Sequence, residues 1–94
     1  HIEPAPLELE VTRSSAGQAM HEFRVSAASE LAGKTLAEIN LPAGVLVTMI
    51  RRDNAFIPPN GNTAIRSGDG MLIMAERELL HLVVRQYFPE QNFE

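Results

Sequence analysis

The chain has 94 residues, 45% of them hydrophobic and 21% charged, with a net charge of −4. That length supports one small domain, no apolar run approaches the ~20 residues of a membrane helix, and the lack of cysteine excludes a disulfide framework and any Cys-based zinc site. The acidic balance argues against nucleic acid as a partner.

The chain begins at His1 without Met or a signal-peptide pattern, so it reads as a segment excised from a longer protein, with His1 a cloning scar. Residues 1–6 carry two prolines and read as a loose leader. Residues 7–13 alternate strictly, with Leu7, Leu9 and Val11 on one face, the pattern of a half-buried strand. A small polar loop follows. Residues 21–27 alternate again, with Phe23, Val25 and Ala27 inward, and can pair with the first strand as a hairpin.

Ser29 can cap a helix, because its hydroxyl accepts an orphan amide hydrogen bond. Leu31, Thr35, Leu36 and Ile39 recur at helical spacing, Gly33 weakens the first turn, and Asn40 and Pro42 end it. Residues 45–50 form a β-branched and aliphatic run that predicts a strand. Asp53-Asn54 is a turn pair, residues 55–57 make a short strand stopped by Pro58-Pro59, and residues 71–75 make the last strand. Three strands with short turns predict an antiparallel meander. A second helix spans residues 76–88, with Leu79, Leu80, Val83, Val84 and Tyr87 on its buried side, and Pro89 stops it. Residues 89–94 read as a frayed tail.

The meander has an anomaly. Simple alternation puts Val45, Val47 and Met49 on one face and Leu46, Thr48 and Ile50 on the other, and sets Met71 and Ile73 against Leu72 and Met74. Both faces are then largely apolar, whereas an antiparallel sheet with one wet face alternates apolar and polar. Since 94 residues are few to cover both faces, the pattern predicts a second subunit over one of them.

The sequence offers little for catalysis or metal binding. His1, His21 and His81 show neither H-x-x-x-H nor H-E-x-x-H spacing, and no G-x-S-x-G or G-x-G-x-x-G occurs. The expectation is no enzyme, no metal and no cofactor. Gly68-Asp69-Gly70 leads into a strand rather than a helix, so it reads as a turn needing positive φ at two glycines, with Asp69 hydrogen-bonding locally. Arg51-Arg52 beside Asp53-Asn54 is the one compact cationic feature. It is either a solvated hairpin tip or an anion clamp at the mouth of a cleft between subunits, a use suited to the planar arginine fork. Two adjacent arginines face opposite sides of a strand, so one pocket takes only one of them unless the turn twists it.

Residues 29–82 resemble the RCK C-terminal domain, also called the TrkA-C domain. The resemblance rests on Leu31, Gly33-Lys34, Leu36, Leu41-Pro42, the run 45–50, Arg51 or Arg52, Pro58, and Gly68-Asp69 before the last strand. It implies an α+β fold: a small, mostly antiparallel sheet of the three-strand meander and N-terminal strands, with two helices, assembled as a dimer. The division of the chain is then residues 1–28 as leader and strands, 29–88 as the TrkA-C-like domain, and 89–94 as tail. The resemblance further implies a cytosolic regulatory, ligand-sensing and dimerisation domain of a bacterial inner-membrane potassium/proton or sodium/proton antiporter, attached to the transport domain of the same chain. No Gly-rich fingerprint precedes the domain, which fits antiporter tails that carry this lobe alone. Some family members bind small ligands, including cyclic dinucleotides, between subunits, and Arg51, Arg52, Ile57 and Pro58 fall in the region that resembles that cleft. The alternatives are a dimerisation module without ligand and the effector lobe of a transcription regulator.

Overall fold

The computed structural model describes residues 17–91. The strand expected over residues 7–13 lies outside that range. Four strands form one antiparallel sheet: β1 (Gln18–Arg24), β2 (Leu46–Arg52), β3 (Ala55–Ile57) and β4 (Gly70–Glu76). One helix, α1 (Arg77–Tyr87), follows β4 directly. None of the described helices is long and apolar enough to cross a membrane.

The strand order is β1-β4-β2-β3, which corrects the expected meander. β2 and β3 do form the predicted hairpin, but β4 pairs with the other side of β2. Two features redirect the chain. Pro58-Pro59 end β3 after three residues, because proline cannot continue a ladder. The following loop then returns along residues 34–35, where Ile65 N–H donates to Lys34 O at 2.8 Å and Thr35 bridges Ala64. β4 is apolar on both faces, and it takes the central position between β1 and β2.

The first expected helix is also corrected. Residues 29–39 hold turns and a short 3-10 segment, Leu36–Glu38, instead of an α-helix. Ser29 Oγ accepts the Leu31 amide as its capping role predicts. Gly33 then adopts φ 91° and sends its N–H to Ile65 O at 2.7 Å, outside any helical ladder. The apolar spacing still serves packing, since Leu31 and Ile39 are buried.

One face of the sheet carries the core. Phe23 on β1 and Met71, Ile73 and Ala75 on β4 cluster with Leu80, Val83 and Val84 of α1, with Val25, Ile65 and Phe88 closing the ends, and Ile50 on β2 is buried on the same face opposite Met71. Alternation in β2 is broken between Val47 and Met49, where the register to β4 shifts. This bulge at Thr48 puts Val47 and Ile50 on the core face and Leu46 and Met49 on the other. Strict alternation would have separated Val47 from Ile50.

Of the two glycines in the turn before β4, only Gly68 has positive φ (91°). The space where its Cβ would stand is open, so a substitution there costs backbone conformation alone. Gly68→Val is expected to lower stability by about 1 kcal/mol or more, as read by urea denaturation. An unchanged midpoint would mean that the loop relaxes without strain.

Candidate functional site

The sheet face that the described residues leave uncovered is the candidate site. By register it collects Met20 from β1, Leu72 and Met74 from β4, Leu46 and Met49 from β2, and Phe56 from β3. Met20, Leu46 and Phe56 are 56%, 54% and 61% exposed, and none of the six packs against the core cluster. Contiguous apolar surface of this kind marks an interaction face. Thr48, at the bulge, donates its hydroxyl hydrogen to Leu72 O at 3.0 Å and so ties its polar atom down within the sheet.

Among the described residues, an ion pair crosses this face. Arg51 Nε and Nη2 donate to Glu22 Oε2 and Oε1 at 3.0 and 2.5 Å. The partners lie on β2 and β1, which are not neighbours; β4 runs between them. They meet over Gly70, which is opposite Arg51 on one side and Arg24 on the other. A Cβ at Gly70 would overlap the Glu22 carboxylate where it now lies, so this glycine leaves room for the close approach and does not serve a positive φ.

Arg52 faces the other way. Its Nε and Nη2 donate to Asp69 Oδ1 and Oδ2 at 2.9 and 2.7 Å, and Nη2 also donates to Ala64 O at 2.9 Å. Asp69, the buried charged residue of the described core, accepts the Arg66 amide as well, at 2.9 Å. Burial pushes the Asp69 carboxyl up, but the hydrogen bonds from Arg52 and the Arg66 amide, with the charges of both arginines, outweigh it and hold the group below the usual carboxylate range. The bond to Asp69 raises Arg52 in turn, against the opposing effect of burial. Beside this pair is a cleft of about 240 Å³ lined by Asp53, Arg66, Ser67 and Gly68 along with the two partners.

The four predicted ligand residues therefore do not share a surface. Arg51 lies on the uncovered face. Arg52 clamps the loop before β4 on the opposite side, and the turn at Asp53 (φ 56°) does not twist the two arginines together. Ile57 is opposite Ile50 of the core face, half-buried, and Pro58 follows it, exposed, at the hairpin end. Sequence reasoning missed Glu22, Phe56 and Gly70. Phe56 was within reach, because a two-residue turn at Asp53-Asn54 sets it opposite Arg51. The Glu22–Arg51 contact was not, since it depends on which strand lies between its partners.

The family model for the TrkA-C domain matches residues 20–86. The Trk system potassium uptake protein TrkA homolog 2 of Methanosarcina mazei is 41% identical over 54 residues, which cover 57% of this chain and 12% of that protein. The chain thus spans about an eighth of that curated relative's length. The solved RCK_C domain dimer of S. agalactiae BusR in complex with c-di-AMP aligns with a TM-score of 0.67 at 26% identity, covering 78% of this chain and 99% of the other. S. agalactiae BusR in complex with its busAB-promotor DNA aligns with a TM-score of 0.63 at 25% identity, covering 86% and 42%.

Proposed function

The chain belongs to the TrkA-C domain family, and from that premise we propose that it is the dimerising, ligand-sensing regulatory lobe of a cation transport protein. The observation that carries this reading is the apolar sheet face left uncovered by the described residues, with the Arg51 fork upon it. Two copies meet through that face about a two-fold axis. A small anionic ligand then sits at their shared boundary, anchored by Arg51 beside Phe56, with Pro58 at the hairpin end and Arg52 and Ile57 supporting the site from the other face. A cyclic dinucleotide suits such a site, being two-fold symmetric and doubly charged; the BusR dimer with c-di-AMP supports the choice. A ligand that prefers one dimer arrangement biases the attached transport domain by its differential affinity alone. The parent is a potassium/proton or sodium/proton antiporter, with this lobe on the cytoplasmic side of the membrane. The potassium uptake relative supports cation transport as the setting.

Sedimentation at micromolar concentration tests the assembly. The 10.4 kDa chain is expected to run at about twice its mass. Leu72→Asp should return it to the monomer, because association would bury an unpaired charge. A wild-type chain that stays monomeric and soluble sinks the reading. Calorimetric titration with c-di-AMP tests the ligand, and silence at millimolar concentration leaves a plain dimerisation module. The second reading, an effector lobe of a transcription regulator, is favoured by the likeness to BusR bound to promoter DNA. The parent chain separates the two: transmembrane helices support the transporter, and a helix-turn-helix supports the regulator.

A further inference from the structure

The Glu22–Arg51 pair differs in kind from Arg52–Asp69. The side chains of Arg52 and Asp69 are 21% and 2% exposed, a buried lock; those of Arg51 and Glu22 are 46% and 33% exposed. A pair this open is screened by water and contributes little to folding. Yet a specific arrangement is devoted to it. Three strands take part, and the middle one must have glycine at residue 70 for the carboxylate to lie across it. Arg24 is exposed and stands opposite Gly70 on β1 as Arg51 does on β2, so the ladder sets a second arginine in the same row, while the Glu22 carboxylate pairs with Arg51.

Glu22 takes both oxygens to one edge of the Arg51 guanidinium. Two oxygens of a phosphate group fit the same fork. Phe56, exposed on the same face and opposite Arg51, offers an apolar plate beside it. We propose that the gap over Gly70 between Arg24 and Arg51 is an anion seat, and that Glu22 occupies it as a built-in competitor which an incoming phosphate group must displace. The inference rests on the ligand-sensing reading above and adds to it a device that sets affinity. Glu22 keeps the seat closed to weakly held anions, and the ligand gains access only with contacts enough to offset the loss of this pair.

The test compares wild type, Glu22→Gln, and Glu22→Gln combined with Arg51→Gln, using two probes. Calorimetry follows c-di-AMP, and NMR of the Arg51 side-chain Nε–H follows inorganic pyrophosphate. Glutamine keeps the shape of residue 22 and removes its charge. Glu22→Gln is expected to tighten c-di-AMP binding about three- to fivefold, the scale of a partly exposed ion pair. It should tighten pyrophosphate similarly, and the double variant should lose the gain for both. Equal or weaker c-di-AMP binding by Glu22→Gln overturns the competitor role while leaving the ligand-sensing reading in place. If c-di-AMP binds no variant but pyrophosphate still binds Glu22→Gln more tightly through Arg51, the seat stands and the choice of nucleotide fails. Silence with both probes overturns the seat along with the ligand-sensing reading.

Discussion

Arg52→Ala is expected to lower folding stability by about 3 kcal/mol, because it strands the buried Asp69 carboxylate without its charged partner. The Arg66 amide alone would then face it. The loss should depend on pH in a defined direction. In the wild type the Asp69 carboxyl lies below its ordinary value, so its contribution is complete above that value and fades as pH falls through the lower, folded one. In the variant the burial effect, which raises the group, loses its main opponent. Protonation of Asp69 then relieves the variant, and the gap between the two proteins narrows in acid. Urea denaturation of both from neutral pH down through the carboxylate range measures this. Arg52→Lys should fall between them, since it restores the charge without the fork. A loss under about 1 kcal/mol for Arg52→Ala, or a gap indifferent to acid, would show that water reaches Asp69 and replaces the arginine.

The largest packing effect is expected at Phe23. Its side chain is fully buried, its ring centroid lies 5.0 Å from that of Phe88 with the planes 18° apart, and it is opposite Met71 in the ladder. Phe23→Ala removes a buried ring from beneath α1 and should cost about 3–5 kcal/mol. In so small a domain that is enough to unfold much of the population. Phe56→Ala is the companion measurement. Phe56 is on the uncovered face, so the monomer should lose less than about 0.5 kcal/mol, while self-association weakens. Equal losses at the two positions would mean that Phe56 is packed within the chain in solution, and the interaction face would have to be sought elsewhere.

The two phenylalanines show where the sequence was legible. Phe23 and Val25 stood out by alternation and α1 by its apolar stripe, because a period is a local property. The hairpin at Asp53-Asn54 could be read from turn chemistry for the same reason. The expectation that one sheet face lacks a cover within the chain also matches the described residues. What escaped was set by non-local pairing. The bulge at Thr48 shifts the register against a strand more than twenty residues away and so reassigns Met49 and Ile50. Gly33 breaks the helical spacing of Leu31, Leu36 and Ile39 because its amide answers to Ile65. Arg52 looked free for a ligand beside Arg51, and nothing local tied it to Asp69, 17 residues on. The resemblance to the family narrowed the fold but could not apportion the two arginines between the faces.

The central place of β4 bears on how the domain comes off the ribosome. β1 is made first, yet its only ladder among the described residues is with β4. Until residue 76 has emerged, the nascent chain can close the β2–β3 hairpin and little else of the sheet. β1 must wait, with Phe23 and Val25 unsheltered, while some fifty residues are added behind it. Assembly is therefore a late, concerted step in which β4 drops between two waiting edges, and such loop closures over long spans are slow. A ribosome stalled after Asp69 would hold a chain that has every residue of β1, β2 and β3 and still lacks the sheet.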